Sequence, residues 1–405
     1  MELLSPASLE EVADCVRSAI ADKASLEILG ASSKRGFGRP VDAAKQLTTA
    51  AMSGIVSYHP EELVLVARAG THMDEIAAAL EEKNQHLAFE PPDFGKLYPG
   101  DDAGSNRTGT IGGILATNLS GPRRFKAGAA RDHFLGFNAV NGRGEIFKAG
   151  GPVVKNVTGY DLPKLLAGSF GTLAVMDEVT VKVLPRPEKT RTVLLYGLDA
   201  AAANAAMTKA LTGPYDLSGA AFLPQIQAQA SQCDYVGAQG SVTALRVEGS
   251  GPVVDHHCAA LRRDFGGPTE ELHSANSITL WREIRDLAPF FDVDTILWRI
   301  SVPPAHGAGV AASIAIDLPG ANFLLDWGGG LVWLSLPADG GANAEKIRRA
   351  FQRCGGHATL VRAPEAERRK VQVFEADGAK ALTDEVKRSF DPERVLNPGR
   401  MHEGV

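Results

Sequence analysis

Cysteine is scarce in this sequence. Among 405 residues there are four, and Cys15, Cys233, Cys258 and Cys354 lie far apart with no C-x-x-C pair. Zinc sites and iron–sulfur clusters usually draw their ligands from closely spaced cysteines. We therefore predict no metal site in this chain, and a reaction that needed an iron–sulfur cluster would need a partner to hold it.

A basic surplus and a long apolar run are also absent. Lysine and arginine total 42 against 48 aspartate and glutamate residues, and the net charge of -6 offers no general attraction for nucleic acid. The most apolar stretch, residues 310–318, is far shorter than the ~20 residues of a membrane helix. The first residues lack the basic and apolar regions of a signal peptide. We expect a cytoplasmic protein that crosses no membrane and binds no nucleic acid.

The chain is too long for one ordinary core, because single domains usually stop growing near ~250–300 residues. Pro185 and Pro187 mark a boundary, and we predict a first domain at 1–187, a second at 188–378 and a C-terminal segment at 379–405. The first domain mixes strands and helices. The second alternates them in a βαβ-like order, which predicts a sheet covered by helices on one face. The fold class that follows is α+β.

Hydrophobic spacing and turn residues predict the elements of both domains. A capping box at Ser8 opens a helix, and Val140-Asn141-Gly142 indicates a tight hairpin turn. The other predicted elements of the first domain are strands at 26–29, 62–69 and 173–183 and a helix at 71–84. Those of the second domain are strands near 192–197, 241–248, 295–302, 322–327 and 331–336 and helices near 254–265, 277–288, 305–317 and 342–354.

A loop rich in glycine and serine follows the predicted strand at 26–29. Residues 30–39 read GASSKRGFGR, and such a loop exposes several main-chain N–H groups that bind the oxygens of a pyrophosphate. Lys34 or Arg35 could add charge. Most loops of this composition are only turns, and that alternative stays open. The segment is neither the G-x-G-x-x-G of a Rossmann fold nor a P-loop.

Two further segments are unusually rich in glycine. Residues 109–121 read GTIGGILATNLSG, in which Gly112 and Gly113 are followed by small residues that suit close approach of main chain to a ligand. Tight helix packing explains the same pattern equally well. Residues 157–173 read VTGYDLPKLLAGSFGTL, in which Asp161 as N-cap, Pro163 and Gly168 predict a very short helix.

These segments together resemble a known family. T-I-G-G-x-x-A-x-N-x-x-G with a following R-D-x-x-L-G, the V-T-G-Y-D-L segment with its G-S-x-G-T-L, and the terminal L-N-P-G are similar to the FAD-linked oxidase family. The resemblance covers about 26–185 and the tail. It implies a PCMH-type two-subdomain FAD-binding fold, a separate α+β cap domain that binds substrate, and a C-terminal segment that returns to the FAD domain.

The resemblance also implies which residues bind FAD. The first loop and the T-I-G-G segment would hold the pyrophosphate and isoalloxazine, the G-x-G-T-L stretch would lie against the adenosine half, and the tail would return to the flavin. The implied residues are Ser32, Ser33, Lys34, Gly38, Thr110, Ile111, Gly112, Gly113, Asn118, Gly171, Thr172 and Asn397.

The sequence departs from the family pattern in two places. Members with covalent FAD often carry a histidine in the first loop, which is absent here, so the resemblance implies non-covalent FAD. Active 2-hydroxy-acid dehydrogenases of the family have an H-x-G-D-G-N-x-H segment whose histidines can hold a metal. This chain has LDWGGGL at 325–331 instead. His256 and His257, adjacent on a predicted helix, are expected to point apart as a solvated pair.

Within the family, these features imply a flavin subunit of a glycolate oxidase complex that oxidises glycolate, a 2-hydroxy acid, to glyoxylate. Its partners would be a homologous D-type flavin subunit and an F-type iron–sulfur subunit, with possible peripheral membrane association through that complex. Arg299 is the candidate catalytic residue, because a guanidinium binds a carboxylate bidentately; a buried structural ion pair is the alternative. The chain could also be a catalytically silent structural subunit or a self-sufficient oxidoreductase for another 2-hydroxy acid.

Overall fold

The computed structural model describes residues 2–98, 108–151, 159–292, 294–375, 378 and 380–404. Val157 and Thr158 of the V-T-G-Y-D-L segment lie outside these residues. The chain divides into two compact units, which we describe separately. The first unit comprises Met1–Ser120, Gly128–Arg186 and Gln372–Val405, and the second comprises Gly121–Ala127 and Pro187–Val371. Pro187 and residues 121–127 and 372–378 thus group differently from the domain boundaries drawn from the sequence.

Strands and helices are mixed in both units, as an α+β fold requires. The strands are β1 (Glu2–Leu4), β2 (Leu26–Leu29), β3 (Lys45–Thr48), β4 (Ile55–His59), β5 (Val64–Arg68), β6 (Gln85–His86), β7 (Phe134–Asn141), β8 (Ile146–Gly150), β9 (Ala174–Lys182), β10 (Leu184–Pro185), β11 (Lys189–Tyr196), β12 (Leu217–Leu223), β13 (Val242–Gly249), β14 (Thr269–His273), β15 (Thr295–Ser301), β16 (Asn322–Asp326), β17 (Leu331–Pro337) and β18 (His357–Arg362). The α-helices are α1 (Leu9–Ala21), α2 (Met73–Glu81), α3 (Ile111–Thr117), α4 (Arg124–Ala127), α5 (Ala130–His133), α6 (Leu162–Leu166), α7 (Ala200–Thr212), α8 (Gln225–Gln229), α9 (Asp234–Gly237), α10 (Gly251–Phe265), α11 (Ser274–Asp286), α12 (Gly307–Asp317), α13 (Ala344–Phe351), α14 (Glu365–Lys370) and α15 (Lys380–Phe390).

Helix α1, the first helix of the first unit, begins at the capping box that the sequence predicts at Ser8. The Ser8 hydroxyl accepts a hydrogen bond from the Glu11 amide at 3.2 Å, and the Glu11 carboxylate accepts one from the Ala7 amide at 2.8 Å. The helix buries Val12 and Val16 against the core. The prediction of a capped helix that packs on one face is therefore confirmed.

Two main sheets build the first unit. The smaller is parallel, with strand order β1-β3-β2, and the larger is antiparallel, with order β4-β5-β9-β7-β8. The predicted hairpin turn is present, since β7 ends at Asn141 and its amide bonds the Glu145 carbonyl at 3.1 Å before β8 begins. β2 leads into the glycine–serine loop, and α3 packs against the larger sheet through Ile111, Ile114 and Leu115.

The second unit contains one eight-stranded sheet with order β14-β11-β13-β12-β16-β17-β15-β18. Its strands pair antiparallel throughout. The βαβ-like reading was incomplete, because it omitted β12, β14, β18 and α7. β12 reads LSGAAFL and is buried at every position, so it lacks the alternation by which a half-buried strand is recognised.

In the part of the chain that the structure describes, no helix has the length and apolar character needed to span a bilayer. The same residues contain no group of three or more metal-ligating His, Cys, Asp or Glu side chains. The rings of His256 and His257 lie 5.6 Å apart in an edge-on arrangement, so the expectation that they point apart was wrong.

Candidate functional site

A cavity in the first unit is lined by Thr49, Ala69 and four longer stretches of the chain. These stretches are the end of β2 with the loop that follows, Thr110 with helix α3, the residues from 170 into β9, and the C-terminal tail. The predicted residues that line it are Ser32, Ser33, Lys34, Thr110, Gly112, Gly113, Gly171 and Asn397. The sequence signals at 30–39, 109–121 and 169–173 therefore converge on one place.

The loop after β2 offers unused main-chain donors to this cavity. Ser32 has a positive φ of 59°, and the turn is closed by the Arg35 amide bonding the Ser32 carbonyl and the Phe37 amide bonding the Lys34 carbonyl. Among the described residues, none accepts a hydrogen bond from the amides of residues 31–34. Consecutive free N–H groups of this kind form a nest for anionic oxygens.

Lys34 brings a positive charge to the same place. Its Nζ lies 3.3 Å from the Ser33 hydroxyl, and no carboxylate of the described residues lies within ion-pair distance of it. Burial lowers the pKa of Lys34 to about 8, and the charge of Asp93 opposes this shift. A half-buried ammonium group without a paired acid is stabilised when an anion binds beside it.

The paired glycines of α3 serve two different purposes. A Cβ on Gly112 would lie 2.8 Å from both the Cβ and the carbonyl oxygen of Ala69, so this residue must be glycine for packing. A Cβ on Gly113 would instead project towards the Lys34 side chain, 3.6 Å from Nζ, in the cavity lining. The packing explanation left open by the sequence thus applies to Gly112, whereas Gly113 lines the cavity and its contact with a ligand stays a prediction.

The amides at the start of α3 are already used. The Ile111 amide bonds the Thr71 carbonyl at 3.0 Å, the Gly112 amide bonds the Ala69 carbonyl at 2.9 Å, and the Gly113 amide bonds the Thr110 hydroxyl at 3.2 Å. The T-I-G-G segment thus supplies space and shape to the cavity, while the free donors lie in the loop after β2.

The C-terminal tail fixes two walls of the cavity. Asn397 accepts a hydrogen bond from the Ile28 amide at 2.8 Å and donates one to the Phe170 carbonyl at 2.7 Å, so it ties the end of β2 to the 170–171 loop. Asp391 and Lys387 form a fully buried ion pair at 2.7 Å, and Lys387 also donates to the Thr172 carbonyl. The predicted return of the tail to this region is consistent with these contacts.

Arg400 is a residue of this site that the sequence did not reveal. Its guanidinium donates to the carbonyl oxygens of Lys34, Arg35 and Arg39 at 3.3, 3.1 and 3.2 Å. In turn, the Arg39 amide bonds the Arg400 carbonyl at 2.9 Å. Because these carbonyls point to Arg400, the opposite side of the loop can present its amides to the cavity. A lone arginine after N-P-G gives no pattern that would identify this function.

The remaining predicted residues of the first unit do not line the cavity. Ile111 is fully buried in the core, and Asn118, with a φ of 49°, ends α3 and accepts a hydrogen bond from the Arg131 amide. Gly38 has a φ of 98° and lies against Arg400. Thr172 bonds the Ser169 carbonyl through its hydroxyl. These four residues support the elements around the cavity but do not line it.

Arg299 lies in the second unit, on β15. No acidic side chain or hydrogen-bond acceptor among the described residues is paired with its guanidinium. Burial and the nearby charge of Arg124 lower the pKa of Arg299 to about 10, so it remains a cation at neutral pH. The structure therefore gives no support to a structural ion pair at this position.

Comparisons with known proteins identify the family of this chain. The model of an FAD binding domain matches residues 2–150. The chain is 35% identical over 401 residues to glycolate oxidase subunit GlcE of Escherichia coli, which spans 98% of this chain and 97% of that protein. It is 37% identical over 153 residues to glycolate oxidase subunit GlcD of Bacillus subtilis, covering 37% of this chain and 30% of that protein.

Solved structures confirm the predicted fold. The chain superimposes on p-cresol methylhydroxylase with a TM-score of 0.69 at 14% identity, covering 99% of this chain and 88% of that one. Because the two sequences are only 14% identical, this structural similarity is evidence for the fold and not for the function. The PCMH-type FAD-binding fold expected from the motifs is therefore present.

Proposed function

Because this chain belongs to the FAD-linked oxidase family and binds FAD, we propose that it is a flavin-bearing subunit of a glycolate oxidase complex that converts glycolate to glyoxylate. The observation that carries this proposal is the match to GlcE, which extends over 98% of the chain and includes both units. Matches confined to the first unit would support flavin binding but no particular substrate, since function lies in sites grafted on a shared fold.

The residues of the first unit fit the pyrophosphate of FAD. The free amides of residues 31–34 and the ammonium group of Lys34 bind its oxygens, and Gly113 leaves space beside them. Asn397 and Arg400 hold the surrounding loops. Since the loop contains no histidine, the flavin is held without a covalent bond. When bound, FAD supplies an acceptor for a hydride.

The complex would supply what this chain lacks. Electrons would leave through an F-type iron–sulfur subunit, which fits the scattered cysteines here, and a D-type flavin subunit would stand beside this one. The second unit contributes Arg299 to hold the carboxylate of the acid. We place the assembly in the cytoplasm, with peripheral membrane association through its partners.

Anaerobic titration with glycolate tests this function. We expect the purified chain to show a flavin spectrum that glycolate alone leaves oxidised, because the expected metal-holding segment is replaced by residues 325–331. In the complex with its D-type and F-type partners, the flavins of both the D-type subunit and this chain should be reduced. Reduction of the D-type flavin alone would identify this chain as a structural subunit. Bleaching of the isolated chain would identify a self-sufficient enzyme.

A further inference from the structure

The segment at 325–331 builds a rigid platform in the second unit. Trp327, only 6% exposed, has a positive φ of 52°, and the Asp326 carboxylate accepts a hydrogen bond from its amide at 2.7 Å. The indole Nε1 donates to the Gly121 carbonyl at 3.1 Å. Gly329 has a φ of 96°, and a Cβ there would lie 2.1 Å from the side-chain oxygen of Asn204. The indole ring is thus held in a single orientation.

Two guanidinium groups are placed on this indole. The Cζ of Arg124 lies 4.6 Å from the ring centre and that of Arg299 lies 5.2 Å from it. Each contact is a favourable cation–π interaction, but the two positive charges repel each other. Burial, and to a smaller extent this repulsion, lower the pKa of Arg299. The platform therefore concentrates positive charge at one place.

Arg299 differs from Arg123, Arg246 and Arg285 of its unit in having no acidic partner among the described residues. Arg123 forms an ion pair with Glu248 at 2.5 Å, and Arg285 forms one with Asp286 at 2.7 Å. Even the fully buried Arg246 bonds the Ser218 carbonyl and lies 3.7 Å from Glu248. For Arg299 the described residues supply neither an acid nor an acceptor. A desolvated cation in this state is stabilised by any anion that can reach it.

From this arrangement we infer that Arg299, Arg124 and Trp327 form a binding site for a small organic acid. The Arg299 fork holds the carboxylate, Arg124 adds charge, and the buried indole of Trp327 holds the two guanidinium groups in place. The positive charge of this site thus comes from two arginine side chains of the described residues. The identification of the acid as a 2-hydroxy acid rests on the proposed function, whereas the site itself rests on these three side chains.

Calorimetric titration of the FAD-loaded full-length chain with oxalate tests this site. Oxalate carries the carboxylate but has no C–H bond to oxidise, so binding is read without turnover. We expect Arg299→Gln to weaken oxalate binding by about 10- to 100-fold, the loss of a charged hydrogen-bonded pair. Arg299→Lys should retain part of the affinity, because it keeps the charge without the fork. The control is Arg349→Gln, which removes an exposed charge of α13 and should leave binding unchanged.

A second readout separates a ligand site from a structural contact. Without oxalate, Arg299→Gln should melt at the same temperature as the wild type or higher, since it removes a half-buried cation that has no acidic partner among the described residues. With oxalate, the wild type should gain stability that the variant does not. A lower melting temperature of the oxalate-free variant would show that Arg299 supports the fold, and would overturn the inference.

Two further outcomes distinguish failure of the organic-acid site from failure of the proposed function. If the variants keep full flavin content but Arg299→Gln binds oxalate as tightly as wild type, this inference is wrong and the proposed function stands. If the wild type retains no flavin, the proposed function fails while oxalate binding is still measured. Inorganic phosphate at matched ionic strength should bind more weakly than oxalate. Equal or tighter phosphate binding would contradict a site for organic acids.

Discussion

The cavity of the first unit and the arginine cluster of the second unit are both proposed to bind anions, but they are built from different groups. The cavity relies on main-chain amides at 31–34, on glycine at position 113 and on one lysine. The cluster relies on the side chains of Arg124, Arg299 and Trp327, which come from three distant parts of the chain. Main-chain donors require a particular loop conformation, whereas side-chain donors require only that strands and loops bring them together.

This difference explains what each site can tolerate. A nest of amides depends on the φ angles and small side chains around it, so single substitutions that change backbone or space should abolish it. A cluster of arginines depends on charge and geometry at the ends of long side chains, so it should weaken by steps. The predictions below test whether the first unit behaves as a main-chain site.

The largest effect is expected for Gly113→Val. Its branched side chain would extend from the cavity wall towards Lys34 and occupy ligand space, so FAD affinity should fall by at least ~100-fold, or ~2.7 kcal/mol. Gly309→Val, at a glycine with open space around it on α12, is the matched control and should retain its flavin. Both are measured as bound FAD per chain after gel filtration. Normal flavin content in the Gly113→Val variant would show that FAD does not bind beside Gly113.

A smaller effect is expected for Arg400→Met. The loop at 34–39 would lose a guanidinium that bonds three of its carbonyls, and the amides on its other side would no longer be held in place. We expect FAD affinity to fall by roughly 10-fold, consistent with ~1.5 kcal/mol for a charged hydrogen bond. Arg388→Met, an exposed arginine of α15, serves as control. If both variants bind FAD alike, Arg400 does not position the loop.

The smallest effect is a dependence on pH. Lys34 is a cation below its pKa of about 8 and loses its charge as the pH rises through that value. FAD affinity should therefore fall severalfold between about pH 7 and pH 9, since one pKa unit corresponds to ~1.4 kcal/mol of differential interaction. Lys34→Gln should bind FAD weakly at both values, with a flat profile. If the FAD affinity of Lys34→Gln still falls with pH as it does in the wild type, a group other than Lys34 causes the pH dependence.

The two sites also differ in how far the sequence predicted them. The glycines at 38 and 112 could be recognised in the sequence because each position excludes a side chain: Gly38 has a φ of 98°, and a Cβ on Gly112 would lie 2.8 Å from Ala69. Arg400 could not be found in this way, since its partners are carbonyl oxygens, which leave no trace in the sequence. Trp327 and Arg124 were missed because their meeting depends on the antiparallel sheet that contains β12, a strand without alternation. Arg299 was found only through the family resemblance.

Hydrogen exchange of the main-chain amides tests the central claim most directly. The amides of residues 31–34 are free in the described structure and should exchange rapidly in the FAD-free chain. On adding FAD, peptides that cover this loop should become protected, while peptides from α8 and α9 of the second unit should exchange as before. Protection of the α3 peptides with no change at 31–34 would contradict the account.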